Sequence, residues 1–253
     1  MSGYEHLSKA ERRRLRKLEK SDRQHRKHID LIEQTKALTD NMQQQAKDGR
    51  PLEAKNEAQG HYILTIKSKQ VTFGLGPAGT GKTYIAAAMA AEALTSKEIE
   101  RIVLTRPAVE AEESLGFLPG DMNEKYDPYI APVKRALEER LGRSTVEYMI
   151  KRGTIELMPL AFMRGHTFND TWVLLDEAQN STPGQMKMFL TRIGQNCKVI
   201  VNGDMSQKDF EEKSGLEDAR QRFRNSKYVG ICEFTMGDCV RSGFVREALL
   251  AYA

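Results

Sequence analysis

The residues with the clearest chemical role form one glycine-rich run, GPAGTGKT, at residues 76–83. The run matches G-x-x-x-x-G-K-[ST], with an apolar stretch before it at 70–75 and a helical pattern after it at 84–89. Backbone N–H groups of such a loop surround phosphate at the positive end of the following helix. Lys82 would reach the β- and γ-phosphates, and the Thr83 hydroxyl would hold Mg²⁺. Agreement of the whole motif with both flanks disfavours a chance glycine-rich turn. We therefore predict nucleotide binding by Gly76, Pro77, Ala78, Gly79, Thr80, Gly81, Lys82, Thr83 and Tyr84.

Two acids directly follow a second apolar run, at 172–175. In a phosphate-binding site of this kind, a carboxylate at the end of a neighbouring strand positions Mg²⁺. Asp176 suits that task, and Glu177 is placed to orient or deprotonate an attacking water. Because Glu177 would prepare water, the pair favours hydrolysis over phosphoryl transfer to a small acceptor. An apolar strand ending in a solvated turn is the alternative, and the upstream glycine loop disfavours it.

Two further polar side chains could complete the chemistry. Gln207 follows the apolar run at 198–201 and could sense the γ-phosphate or the lytic water, with Asp204 in support. Arg241, just before the last predicted helix, could stabilise charge that develops on the phosphoryl group. On spacing alone, a polar turn for Gln207 and a surface ion pair for Arg241 remain open.

The elements that must position these residues alternate along the chain. This alternation is typical of a mostly parallel sheet covered on both faces, and the predicted fold class is therefore α/β. Strands are predicted near 70–75, 101–105, 154–158, 171–175, 198–202 and 228–234. Helices are predicted near 82–95, 131–141, 144–151, 183–193, 215–224 and 242–252.

A helical arm is predicted before this domain, with 1–50 as the arm and 51–253 as the core. Residues 5–28 hold ten Lys or Arg against four acids, which leaves a net charge of +6. Four aliphatic side chains share a heptad register that Asp22 and His25 interrupt, so the seam is weak. A paired helix and a solvated, partly mobile helix both remain open.

Composition narrows the class of protein. With 40% hydrophobic and 29% charged residues, the chain has the composition of a soluble globular protein. No apolar run approaches the roughly 18 residues of a membrane span. The charged N-terminus has no apolar signal segment, so we expect a cytoplasmic protein without membrane contact. Cys197, Cys232 and Cys239 show no C-x-x-C spacing, which argues against a disulfide framework and a zinc site.

The motifs together resemble the PhoH family of P-loop ATPases over roughly residues 55–252. The matching segments are GPAGTGKT, LTRPAVEAEESLGFLPGDMNEKYDPYIAPV, MPLAFMRGHTFND, LLDEAQN, NGDMSQ and DCVRS. The resemblance implies a three-layer core like one RecA-type domain of superfamily-one helicases, ATP hydrolysis with Mg²⁺, and a link to RNA metabolism and phosphate starvation. It implies phosphate and metal binding by Lys82 and Thr83, metal and water roles for Asp176 and Glu177, sensing by Gln207 and an arginine finger at Arg241.

The same resemblance places Gln59 where related ATPases contact adenine, which predicts ATP as the nucleotide. It also shows two departures, Glu112 where a glycine is expected and His166 where an arginine is common. Arg164 and Arg106 could contact nucleic acid or form structural ion pairs. No segment resembles the RNA-cutting PIN domain of some members, so nuclease activity is not expected.

Helicases of this class place ATP between two cores, whereas this chain has one. Either a neighbouring subunit supplies the arginine, or the site works slowly without it. We expect a homo-oligomer, a hexameric ring in which Arg241 acts on the neighbouring subunit's site. The expected partner is RNA or single-stranded nucleic acid. An ATP-dependent assembly switch that binds a protein client is the alternative. A small-molecule kinase is disfavoured by Glu177 and the helicase-like DEAQ and GDMSQ segments.

Overall fold

The computed structural model describes residues 51–107 and 122–251. The predicted arm and Glu112 lie outside these ranges. The strands are β1 (Val71–Leu75), β2 (Arg101–Thr105), β3 (Ile155–Leu157), β4 (Thr171–Leu175), β5 (Lys198–Gly203) and β6 (Val229–Glu233). The helices are α1 (Glu57–Ser68), α2 (Lys82–Thr95), α3 (Met122–Leu141), α4 (Arg143–Arg152), α5 (Pro183–Leu190), α6 (Gly215–Phe223) and α7 (Gly243–Ala251). Short 3-10 turns lie at 160–163, 178–180, 205–207 and 236–238.

The strands form one parallel sheet in the order β3-β2-β4-β5-β1-β6, which confirms the predicted α/β class. Helix α3 packs on α2 and α4, and α5 packs on α6. The chain moves one way across the sheet from β1 to β3 and returns from β3 to β6. Right-handed crossovers therefore place these two helix groups on opposite faces of the sheet, giving three layers.

The core beneath α5 and α6 is built from alternate residues of the strands. Val71, Phe73 and Leu75 of β1 are buried there with Phe189 of α5 and Leu216 of α6. Every residue of β1 and β4 is buried, as expected for central strands of a parallel sheet. The carboxyl ends of these strands are therefore held on a rigid platform.

Each predicted strand is present, whereas two helices differ from prediction. Helix α1 is not among the predicted helices. Its sequence signals lie at its ends: Asn56, whose side chain accepts a hydrogen bond from the Gln59 N–H at 2.9 Å, Glu57 in the first turn and Lys67 in the last. Helix α3 begins at Met122, not near 131, and continues through Pro128 and Pro132. Buried Tyr126 holds its early turns against β2, so tertiary packing outweighs the helix-breaking tendency of proline.

None of the helices described here combines the length and the apolar character that a membrane span requires.

Candidate functional site

The glycine loop leaves the carboxyl end of β1 and enters α2. Gly76, Gly79 and Gly81 have φ angles of +135°, +82° and +89°. A Cβ on Gly76 would overlap the Phe234 carbonyl oxygen, so the residue after β6 closes one side of the loop. Only glycine can adopt these positive φ angles while another backbone group approaches so closely. This explains why the motif has glycine at Gly76.

Lys82 is the first residue of α2 and folds back into this loop. Its Nζ donates to the carbonyl oxygens of Gly76 at 2.6 Å and Pro77 at 2.8 Å, and to Thr80 Oγ1 at 3.2 Å. Burial lowers the pKa of the Lys82 ammonium, while nearby carboxylates, Asp204 foremost, act in the opposite direction. A compact positive charge is thus held inside the loop, where phosphate is expected.

Thr83, at the start of α2, and Asp176, just after β4, are in contact above the carboxyl edge of the sheet. The Thr83 hydroxyl donates to Asp176 Oδ1 at 3.0 Å, although β1 and β4 are separated by β5. Burial, reinforced by the neighbouring Glu177 carboxylate, raises the pKa of Asp176 to about 6. A hydroxyl and a carboxylate are hard oxygen donors that fit Mg²⁺. Their contact supports the predicted metal site.

Glu177 follows with a φ of +52°, a left-handed conformation that non-glycine residues rarely adopt. Its Oε2 accepts a hydrogen bond from Gln179 Nε2 at 2.7 Å, and its Oε1 lies 3.7 Å from Arg106 Nη2. The side chain is 33% exposed. The carboxylate is therefore held from two sides and stays accessible to water.

Asp204 and Gln207 lie beyond the end of β5. Asp204 Oδ1 accepts hydrogen bonds from the Ser206 N–H at 3.0 Å and the Ser206 hydroxyl at 2.7 Å. Asp204 Oδ2 is buried and has no hydrogen-bond partner among the residues described. Both Asp204 and Gln207 line the same cavity as Lys82. A buried acceptor is thus available beside the predicted phosphate position.

Arg241 lies against the glycine loop of its own chain. The Val240 N–H donates to the Gly79 carbonyl oxygen at 3.0 Å, and a Cβ on Gly79 would lie 2.9 Å from Arg241 Cδ. The sequence predicts an arginine that reaches a neighbouring subunit. The chain by itself places Arg241 at its own site, so action across an interface stays a prediction.

Gln59 also lies at the loop, with both ends of its amide bound inside the protein. Nε2 donates to the Thr80 carbonyl oxygen at 2.9 Å, and Oε1 accepts from the Lys55 N–H at 2.8 Å. The residue is 3% exposed. In this arrangement Gln59 braces the loop. The adenine contact stays a prediction that needs the amide to exchange partners.

One cavity of about 450 Å³ is lined by Lys82, Thr83, Asp176, Glu177, Asp204, Gln207 and Arg241, but not by Gln59. Helix α3 contributes Pro132, Arg135, Ala136 and Glu139 to its wall, and of these only Pro132 lies in a segment that the sequence motifs include. No motif points to Arg135, Ala136 or Glu139, because these residues reach the cavity only through the packing of α3 on α2. A second cavity of about 580 Å³ adjoins the first and shares Gly81, Tyr84, Glu139 and Val240 with it.

The other predicted contacts divide between the site and the surface. Arg106 donates to the Tyr129 carbonyl oxygen at 3.2 Å and forms an ion pair with Glu177 at the site. Arg164 and His166 are exposed and do not line the cavity.

At the edge of a parallel sheet, one cavity brings together a glycine loop, a lysine, a threonine and a pair of acids. This combination defines a P-loop nucleotide-binding protein of the ATPase type. The family described as PhoH-like protein matches residues 51–253. The chain belongs to this family, and the resemblance drawn from the motifs is confirmed.

Curated relatives agree with this assignment. Protein PhoH of Escherichia coli (strain K12) is 46% identical over 254 residues, covering 97% of this chain and 72% of the relative. The PhoH-like protein of Bacillus subtilis (strain 168) is 48% identical over 206 residues, covering 81% of this chain and 65% of the relative. Among solved structures, the large terminase of a thermophilic bacteriophage superposes with a TM-score of 0.49 at 12% identity, covering 81% of this chain and 51% of that one.

Proposed function

We propose that this protein hydrolyses ATP in a Mg²⁺-dependent reaction. The observation that carries the proposal is the convergence of Lys82, Thr83, Asp176 and Glu177 on one cavity. Mg²⁺, when bound, would neutralise charge on the β- and γ-phosphate oxygens. Thr83 and Asp176 are the residues that would hold it.

The remaining groups divide the work around the phosphate. Lys82 binds the β- and γ-phosphates and the loop N–H groups surround them. Glu177, held by Gln179 and Arg106, orients the lytic water or takes its proton. Gln207 senses the γ-phosphate, and Arg241 stabilises charge on the transferring phosphoryl.

The test is ATP turnover with Mg²⁺ and with EDTA, for the wild type and two variants. Lys82→Ala should lose both turnover and binding of a fluorescent ATP analogue, because it removes a phosphate contact. Glu177→Gln should keep nucleotide binding while turnover falls about 100-fold or more, as expected for loss of a general base. Lys187→Ala, an exposed lysine on α5, is the matched control. Wild-type protein without Mg²⁺-dependent turnover contradicts the proposal.

The proposed substrate on which the ATPase acts is RNA or single-stranded nucleic acid. Support comes from the family resemblance and from the net charge of +6 over residues 5–28, since phosphate contacts by Lys and Arg weaken steeply with salt. Turnover should rise with RNA or single-stranded DNA at low salt, and less so at moderate salt. An unchanged rate with every nucleic acid would favour the alternative, an ATP-dependent assembly switch that binds a protein client.

The proposal includes a hexameric ring in which Arg241 completes the neighbouring site. In such a ring, Arg241 must leave Gly79 of its own chain. Mixing Lys82→Ala with Arg241→Ala subunits separates the two arrangements, because only action across an interface restores activity in the mixed assembly. No recovery would contradict action of Arg241 across an interface. Mass measurement with and without nucleotide gives the subunit number.

A further inference from the structure

Gln179 is a buried amide that touches both halves of the site. Its Nε2 donates to Glu177 Oε2 at 2.7 Å and to the Gln207 carbonyl oxygen at 3.3 Å. Its Oε1 accepts from the Asp204 N–H at 3.0 Å. Both ends of one side chain thus join the acid pair after β4 to the segment after β5.

The surroundings hold this amide firmly in place. Gln179 is 1% exposed, and its own carbonyl oxygen accepts a hydrogen bond from the Ser214 hydroxyl at 2.8 Å. A Cβ on Gly203 would lie 2.8 Å from Gln179 Oε1, so β5 leaves no room beside it. A displacement of residues 204–207 must therefore move the amide or break its hydrogen bonds.

Gln179 is not among the described residues that line the cavity, whereas Glu177, Asp204 and Gln207 are. Because Gln179 is buried and both ends of its amide are engaged, it would act on the nucleotide through its neighbours. We infer that Gln179 is a positioning residue, which transmits the arrangement of residues 204–207 to the carboxylate of Glu177. Through this link, the residues that sense the γ-phosphate set the orientation of the proposed base.

The inference rests on the proposed ATP hydrolysis, and its test uses Gln179→Met, which keeps side-chain length and removes both hydrogen-bonding ends. Turnover at saturating ATP should fall about tenfold or more, while affinity for a fluorescent ATP analogue stays within about threefold of the wild type. Loss of affinity in parallel with turnover would instead indicate general damage to the site and would overturn the inference.

A double-mutant cycle gives the sharper measurement. If Gln179 acts only through Glu177, its replacement should have no further effect on turnover once that carboxylate has been removed. In a Glu177→Gln background, Gln179→Met should change the residual turnover by less than about twofold. A purely structural role predicts the same fold loss in both backgrounds, and that outcome contradicts the inference.

Gln185→Met is the matched control, since Gln185 makes a comparable hydrogen bond, from the Thr182 N–H to its Oε1 at 2.9 Å, in the capping box of α5. It should lower thermal stability and leave turnover unchanged. If Gln179→Met does not fold, Gln179→Asn replaces it, because the shorter side chain stays polar and loses the reach that joins Glu177 to the Asp204 N–H. Wild-type protein without turnover refutes the proposed function, whereas active wild type with an active Gln179 variant refutes only this inference.

Discussion

The hydroxyl of Thr83 donates a 3.0 Å hydrogen bond to Oδ1 of Asp176 and so joins the start of α2 to the end of β4. The two residues are 93 positions apart in sequence. Strand β5 lies between their strands, and the parallel order brings all three carboxyl ends to one edge. This contact places a hydroxyl and a carboxylate together beside the Lys82 ammonium.

Asp176→Asn should stabilise the protein in the absence of nucleotide and metal at about pH 7.5. Burial raises the pKa of Asp176 from 3.8 to about 6, so the ionised carboxylate is disfavoured in the folded state. A raised carboxyl pKa means that the folded state binds more protons, and wild-type stability falls as pH rises from about 4 to 6. The expected gain is at most about 3 kcal/mol.

Urea unfolding in EDTA at about pH 7.5 and about pH 4 measures this gain, which should shrink at the lower pH. Asp209→Asn, an exposed carboxylate, is the control. A gain that is equal at both pH values would show that desolvation of the Asp176 carboxylate is not its cause.

Gly79→Ala should impair nucleotide binding through contact with Arg241. Its φ is +82°, and a Cβ there would lie 2.9 Å from Arg241 Cδ. Gly153→Ala is a matched control, because Gly153 has a φ of +74° and an added Cβ there would meet nothing within 4 Å. Both variants should lose about 1 kcal/mol of stability through backbone strain.

Only Gly79→Ala should weaken binding of a fluorescent ATP analogue, by about tenfold or more if the loop or Arg241 must shift. Equal binding by the two variants would show that the loop tolerates the added methyl group.

Gln59→Ala distinguishes two roles for Gln59, stabilisation of the glycine loop and recognition of the adenine base. Since the amide binds the Thr80 carbonyl oxygen and the Lys55 N–H, its loss should loosen the loop for every nucleotide. Affinities for ATP and GTP should fall by the same factor, of about three to ten. A selective loss of ATP affinity would support the predicted adenine contact. Titration of both nucleotides against wild type and variant decides the matter.

Tyr126→Phe should destabilise the junction between α3 and β2. The Tyr126 hydroxyl accepts from the Arg106 N–H at 2.7 Å and donates to the Arg106 carbonyl oxygen at 3.0 Å. Tyr126 is fully buried, so removing the hydroxyl leaves two backbone groups without partners and should cost about 1–3 kcal/mol. Urea unfolding measures the cost, with exposed Tyr228→Phe as the control.

The sequence predicted the strands of the sheet, because each strand is marked by a short run of neighbouring residues. The apolar runs that form β1, β4 and β5 are short, buried and bounded by polar or glycine residues. Helix α1 is not predicted because its sequence is weakly amphipathic and contains Gly60 and several β-branched residues. The predicted start of helix α3 is wrong because prolines normally end helices. Here the helix continues through Pro128 and Pro132, since packing against β2 stabilises its first turns.

The sequence by itself determined which residues could bind phosphate, hold a divalent metal and prepare water, because the glycine loop and the acid pair are contiguous motifs. Tertiary structure alone decided how they are connected. It placed Gln179 between Glu177 and Asp204, engaged both ends of the Gln59 amide, and set Arg241 against Gly79 of the same chain. The contacts from Gln179 to Asp204, from Gln59 to Thr80 and from Arg241 to Gly79 join segments that are far apart in sequence. They depend on the strand order of the sheet, which no local spacing encodes.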